Sequence, residues 1–245
     1  MRNFRIVIQY EGTRYQGWQK QGSTENTLQG KFEQLLTRIA GVPTQIHASG
    51  RTDAGVHAYG QVANFLMDTD MTPGEMMEQL NRYLPEDVAV ISCVEAAPRF
   101  HSRLNAVSKT YRYRILNSGV PHVFDRKFVW QVEEGLDLEK MRSAAKVLCG
   151  THDFAAFTSA KKSKKSTVRT ITDIRICRVG DEVQLTFEGD GFLFHMVRIL
   201  TGTLVEVGLG KRPVSDMEQL LIKGQRELAG PLVPAKGLAL MEVRY

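Results

Sequence analysis

Between residues 50 and 62 the chain reads Gly-Arg-Thr-Asp-Ala-Gly-Val-His-Ala-Tyr-Gly-Gln-Val. Arginine, aspartate, histidine and tyrosine all fall between Arg51 and Tyr59, punctuated by Gly50, Gly55 and Gly60. A carboxylate in such a setting can act as a nucleophile toward carbon. It can equally do no more than close an Asx-turn on a nearby backbone N–H. Glycines let the main chain turn tightly or come close to a ligand. Arg51 stands two residues before Asp53, so an extended backbone would project both side chains to the same side. No other acid lies near Asp53 in sequence. A metal-dependent nuclease or phosphatase would therefore need carboxylates converging from distant parts of the chain.

Strand patterns flank this stretch, at 45–48 before it and 62–67 after it, so it reads as a strand-to-strand connection. Phe4, Ile6, Ile8 and Tyr10 alternate with polar neighbours as a half-buried strand does. Leu28, Phe32, Leu35, Leu36 and Ile39 follow a helical period, with Asn26 or Thr27 as N-cap and Gly41 as stop. Thr72-Pro73 opens a second helix, whose apolar side carries Met76, Met77, Leu80 and Tyr83. A strand over 88–94 follows. The second half shows a helix through Leu138, Met141, Ala145 and Leu148 that ends at Gly150. Two strands around Ile174–Ile176 and Val183–Phe187 turn at Gly180-Asp181. A helix through Met196, Leu200, Leu204 and Val207 runs to Gly208, a shorter one capped by Ser215 covers 217–222, and a strand over 239–245 closes the chain. These elements predict an α+β protein with two halves, 1–106 and 107–245, and no linker of disordered composition between them.

Several cation-bearing stretches have two readings. In the loop 11–22, Tyr15 and Trp18 beside Arg14 and Lys20 either stack on bases or anchor the loop on the core. Pro98–Arg103, with His101 and Arg103, is a basic connector. Over 109–115, Lys109, Tyr111, Tyr113 and Ile115 share one strand face and Thr110, Arg112 and Arg114 the other, as an RNA surface or as an ordinary charged edge strand. The run 161–169 carries Lys161, Lys162, Lys164, Lys165 and Arg169 with no acid and no apolar period, which suits a loop that is solvated or touches phosphates. Arg198 sits in an apolar stretch and needs a partner if buried.

Composition narrows the classes. The chain has 245 residues, 42% hydrophobic and 24% charged, with a formal charge of +5 and pI near 9.1, which is compatible with a nucleic-acid partner. Cys93, Cys149 and Cys177 are far apart and show no CxxC or Cys/His zinc spacing, so buried, reduced thiols in a cytoplasmic protein are expected. The missing zinc spacing also sets aside a zinc base deaminase. No apolar run is long enough for a membrane span, and the N-terminus reads as a strand rather than a signal peptide.

The string Arg51-Thr-Asp-Ala-Gly-Val-His-Ala58 resembles the active-site motif of tRNA pseudouridine synthases of the TruA family. So, in the family's order, do Tyr15-Gln-Gly-Trp-Gln19, Tyr111-Arg-Tyr113, Asp153-Phe-Ala-Ala-Phe157, Phe194-His-Met-Val-Arg198 and Lys236-Gly-Leu238. The resemblance implies two pseudo-symmetric α/β halves forming a continuous, mainly antiparallel sheet with a central basic cleft, the pseudouridine synthase fold. It implies a homodimer acting on the anticodon stem-loop of tRNA, at uridines 38, 39 and 40, without metal or other cofactor. It makes Asp53 the nucleophile and Arg198 the cation that keeps it ionised. Tyr111 stacks on the base and is a candidate relay for the C5 proton, Leu238 packs against the base, and Arg51 replaces the flipped nucleotide. Arg14, Lys20, His101, Arg103 and the lysines at 161, 162, 164 and 165 would contact RNA. A pure RNA-binding protein is the alternative, but a carboxylate in a cationic groove would then repel phosphate to no purpose.

Overall fold

The computed structural model describes residues 1–160 and 166–245. The chain forms two compact units, Met1–Val107 together with Ala239–Tyr245, and Ser108–Leu238.

In the first unit, β1 (Arg2–Tyr10) buries Phe4, Ile6, Ile8 and Tyr10, as alternation predicts. Helix α1 (Leu28–Ala40) starts where the Thr27 hydroxyl accepts from the Gly30 N–H and stops at Gly41, which adopts φ 71°. It buries Leu28, Phe32, Leu35 and Leu36. Strand β2 (Ile46–Ala48) lies antiparallel to β3 (His57–Met67). Helix α2 (Pro73–Tyr83) opens with a capping box between Thr72 and Glu75. Strand β4 (Val88–Ala96) completes an antiparallel order β4-β1-β3, with Ile6 opposite both Ala63 and Cys93. One expectation needs revision. The connection between β2 and β3 is shorter than the sequence suggests, because β3 already begins at His57. Tyr59, Gly60 and Gln61 carry no apolar run, yet they pair as strand.

In the second unit, β5 (Ser108–Leu116), β9 (Glu182–Gly189), β8 (Val168–Val179) and β7 (Gly150–Asp153) follow one another as antiparallel neighbours. A two-residue strand β6 (Trp130–Gln131) pairs in parallel with the end of β5. Helix α3 (Leu138–Leu148) packs on α4 (Met196–Gly208) so closely that a Cβ on Gly208 would meet the Met141 sulfur at 2.7 Å. Helix α5 (Asp216–Lys223) follows. Ser215 holds its N-cap position, but its side chain makes no capping bond. Gly150, at φ 111°, belongs to β7 rather than to the end of α3. Cys177 departs from the expectation of burial: it is exposed, while Cys93 and Cys149 are half-buried, and all three are free thiols.

Strand β10 (Leu238–Arg244) returns to the first unit, where Ala239 and Leu240 pair in parallel with His57 and Ala58 of β3. Gly60 makes that approach feasible, since a Cβ there would sit 2.4 Å from the Met241 carbonyl oxygen. The fold is α+β, with a multi-stranded, mostly antiparallel sheet and several helices.

Candidate active site

Asp53 lies on the loop between β2 and β3, half-buried, and Arg51 beside it is exposed. The Val56 N–H donates to the Asp53 carbonyl at 3.1 Å, and Gly55 takes φ 79°, so the chain reverses directly after Asp53. A second loop, 11–18, clamps this turn. Trp18 N–H donates to Thr52 O at 3.0 Å, Gly55 N–H to Tyr15 O at 3.3 Å, and Gly12 N–H to His57 Nδ1 at 3.0 Å. Two glycines of that second loop permit the contact. A Cβ on Gly12 would fall 2.0 Å from Val56 O, and one on Gly17, itself at φ 84°, 2.7 Å from Thr52 O. The sequence pattern singled out the glycines around Asp53, but the tightest approaches come from the loop opposite.

Beneath the loop sits a buried polar cluster. The Ser49 hydroxyl donates to Gln61 Oε1 at 2.8 Å, and Gln61 Nε2 donates to Gly50 O at 2.9 Å. The hydroxyls of Tyr10 and Thr52 share a hydrogen bond of 2.8 Å. Tyr10, Ser49, Thr52, His57 and Gln61 are all buried. Periodicity could not reveal them as supports of Asp53. The available signal was Gln61, a polar residue opposite Ile8 in an otherwise buried strand.

The other first-unit candidates fall into two groups. Arg14 is committed to Asp87, its Nε at 2.8 Å and its Nη2 at 2.7 Å from Oδ2, while the Tyr15 hydroxyl donates to the other oxygen at 2.7 Å. Lys20 lies 3.4 Å from Glu33. Tyr15 and Trp18 are buried, and Trp18 stacks on Phe32 at 6.1 Å, so these rings anchor the loop on the core instead of offering faces to bases. Arg51 and Arg103 are exposed, and among the described residues neither guanidinium has a hydrogen-bond or ion-pair partner. His101 stacks on His47 with 5.0 Å between ring centres, and its Nδ1 accepts from the Arg103 N–H at 3.1 Å. Burial and the neighbouring His47 push the His101 pKa down, so near neutral pH it presents an N–H donor and a ring face more than a charge.

Within the second unit, Tyr111, Arg198 and Leu238 are carried by β5, α4 and the start of β10. The aromatic face of β5 is buried: Tyr111 meets Phe192 edge-on at 5.2 Å, and Tyr113 donates from its hydroxyl to Pro234 O at 2.7 Å. Arg112 and Arg114 on the other face bond to Thr186 and to Glu182 with Asp125. Arg198 is half-buried and donates from Nε to Val233 O at 2.8 Å, which supplies a partner on the segment leading to Leu238. Gly237 in that segment lies against the Tyr113 ring, where a Cβ would approach to 2.6 Å. Leu238 is buried. His195 opens α4 at φ 65°, and the exposed Phe194 ring stacks on it at 3.7 Å. The lysines at 161, 162, 164 and 165 lie outside the described residues.

Among the described residues no group of three or more His, Cys, Asp or Glu side chains could hold a metal ion together. Among the described residues, no helix is long and apolar enough to cross a membrane.

Comparison with known proteins matches a family described as tRNA pseudouridine synthase over residues 6–104 and 144–245. The chain is 44% identical to tRNA pseudouridine synthase A of Bacillus sp. (strain KSM-64), over 100% of both chains. It is 41% identical to tRNA pseudouridine synthase A 2 of Bacillus anthracis and 42% identical to tRNA pseudouridine synthase A of Acetivibrio thermocellus, again over 100% of each. Those matches span both units and include Asp53, Tyr10 and Arg198 in their range. The chain belongs to the tRNA pseudouridine synthase A (TruA) family of isomerases.

Proposed function

We propose that the chain converts uridine to pseudouridine at positions 38, 39 and 40 of the tRNA anticodon stem-loop, with Asp53 as nucleophile. The reaction breaks the bond from C1′ to N1, joins C1′ to C5, moves a proton onto N1 and releases the C5 hydrogen. Its balance requires no oxidant, metal or energy donor. The observation that supports the reading is the clamped turn that presents a half-buried Asp53 close in sequence to the exposed cation of Arg51. A carboxylate so placed can add to the uracil ring or to the sugar carbon. Arg198 serves as the cationic partner of the reacting carboxylate. Tyr111 stacks on the base, Leu238 packs against it, and Arg51 fills the gap left in the stem by the extruded nucleotide.

Arg103, His101 and the lysines at 161, 162, 164 and 165 serve the RNA backbone, and Arg14 and Lys20 join them where their acid partners leave the outer face of each cation open. Neutralising the four lysines together lowers tRNA affinity and flattens its salt dependence, because each phosphate contact releases counterions. The protein acts as a cytoplasmic homodimer whose two halves, 1–106 and 107–245, bring a basic cleft to the stem-loop.

Asp53→Asn tests the centre of this reading. The amide keeps the shape and removes the nucleophile. Release of the C5 hydrogen in a single turnover falls below detection, while tRNA affinity measured by filter binding stays within about tenfold. Turnover retained by the variant removes Asp53 from the chemical step.

A further inference from the structure

Four residues around the loop form one hydrogen-bonded chain. Gln61 Oε1 accepts from Ser49, and Gln61 Nε2 has two hydrogens. One goes to Gly50 O at 2.9 Å and the other points to the Tyr10 hydroxyl oxygen at 3.5 Å, the weak member of the set. The hydroxyls of Tyr10 and Thr52 share the next bond, 2.8 Å long. The chain therefore touches residues 49, 50 and 52 in turn. Arg51 projects from the middle of this held backbone with no partner among the described residues, and Asp53 follows directly on Thr52.

Strand pairing places the supports. Ile8 pairs with Gln61 and Tyr10 with Ala58, with a register shift between the two pairs. Gln61 and Tyr10 thereby reach the loop from adjacent strands, although Gln61 is 0% exposed and Tyr10 4%. Each reaches the loop through its side-chain bonds rather than from an open surface. A buried polar chain whose amide groups are all used specifies one arrangement of the backbone above it.

We infer that Tyr10 and Gln61 are positioning residues for the reaction: through Thr52 and Gly50 they set the direction from which Arg51 and Asp53 meet the target nucleotide. The inference rests on Asp53 as the nucleophile. It goes beyond that reading in assigning the geometry of both residues to a hydroxyl and an amide beneath them. Small misplacements of a reacting group cost rate much more than they cost affinity.

The test is a cycle of Tyr10→Phe, Thr52→Val and the double variant, with Thr52→Ser as conservative control. The single-turnover rate constant on tRNA falls about ten- to a hundredfold in Tyr10→Phe and Thr52→Val, while the Kd for tRNA stays within about twofold. The double variant is no slower than the slower single one, because both remove the same bond. Thr52→Ser keeps the hydroxyl and restores most of the rate. Burial pushes the Tyr10 hydroxyl up to about 12, so the ratio of wild-type to Tyr10→Phe rates is flat from about pH 6 to 9. Wild-type rates in Tyr10→Phe, additive losses in the double variant, or a Kd that weakens in step with the rate would each overturn the inference. Should Tyr10→Phe fail to fold, seen in the emission of Trp18 at 6.2 Å from the Tyr10 ring, Thr52→Val against Thr52→Ser makes the same comparison from the loop side. Asp53→Asn measured alongside keeps the two readings apart. If it turns over, the nucleophile reading fails; if it is inert while Tyr10→Phe runs at full speed, only the positioning role fails.

Discussion

The loop that carries Asp53 and the turn that leads into α4 are held by different means. Residues 49–57 are held by directional polar bonds: main-chain donors from the loop opposite, and a buried chain of hydroxyls and one amide. Residues 189–196 also carry polar bonds, Asp190 N–H to Thr170 O and Thr170 N–H to Asp190 Oδ1 among them, each at 3.0 Å, but they add a set of rings. Phe192 meets Tyr111 edge-on, Phe194 stacks on His195, and the carbonyl of Phe194 takes the Thr158 hydroxyl at 3.0 Å. Hydrogen bonds weaken steeply with angle, so they can fix the line along which a carboxylate or a guanidinium points. Ring packing tolerates sliding within a plane and suits a surface that receives a flat base. The difference matches the two tasks proposed for these regions.

Gly12 and Gly191 put this contrast to the test, although Gly189 in the second region also approaches a main-chain oxygen closely, Thr170 O at 2.6 Å from an added Cβ. Gly12→Ala puts a methyl group 2.0 Å from a main-chain oxygen, so either loop 11–18 or the Asp53 turn must move. A destabilisation of about 3 kcal/mol or more is expected, with loss of activity in whatever folds. Gly191→Ala, in the ring-held turn, meets its nearest atoms on the Arg169 side chain at 3.8 Å and stays within about 0.5 kcal/mol of wild type. Urea titration of both variants checks the pair. Equal losses would mean that the two regions are packed alike.

Alkaline pH separates the units next. Burial raises the hydroxyl pKa of Tyr10 to about 12, and those of Tyr15, Tyr113 and Tyr245 are raised as well, with Asp87 adding to the effect on Tyr15. In the unfolded chain each titrates near 10. The folded state thus holds more protons than the unfolded state above pH 10, and stability falls as pH rises from there through the folded values. For Tyr10 alone, the rise from 10.0 to about 12 corresponds to about 2 to 3 kcal/mol. Tyr10, Tyr15 and Tyr245 belong to the first unit and Tyr113 to the second. Trp18 and Trp130 report on one unit each, so Trp130→Phe and Trp18→Phe chains can be followed separately by fluorescence. The first unit should lose structure at lower pH.

Arg51→Lys tests whether the direction of the cation matters. A lysine keeps the charge but lacks the planar head that stacks within a helix. The rate on a paired stem uridine falls about tenfold, and less on a mismatched one, where extrusion costs little. Equal losses on the two stem-loops would leave Arg51 a phosphate contact.

Most of the scaffold was legible because its elements are amphipathic or capped. Thr27, Gly41 and the Thr72–Glu75 box mark helix ends by chemistry that acts within a few residues. Asp53 was legible as a motif. Its supports were not, since Tyr10 and Gly12 lie some forty residues away in sequence and reach the loop only through strand pairing and loop contact. Tyr15 and Trp18 kept two readings in the sequence for a related reason: aromatics beside cations look the same whether they face solvent or core, and the structure gives them to the core. Cys177 alternates with the buried Ile174 and Ile176, so its exposure was legible in the strand pattern, whereas the early start of β3 at His57 fell outside any apolar alternation.

His195 offers the smallest effect and the cleanest separation of backbone from ring. It is the non-glycine residue at positive φ among the described residues, and it opens α4 just ahead of Arg198. A side chain in the left-handed region costs about 1 kcal/mol relative to glycine. His195→Ala keeps that cost and removes the ring stacked on Phe194; His195→Gly removes both. If the backbone turn is what α4 needs, the glycine variant is more stable than the alanine variant by about 1 kcal/mol, read as a shift in thermal midpoint of a few degrees. If the ring does the holding, the two variants melt together, below wild type. The first outcome would bring this turn closer to the Asp53 loop, where main-chain geometry rather than side-chain packing decides where the functional groups point. The second would keep the contrast as drawn, with rings as the feature that sets this turn apart.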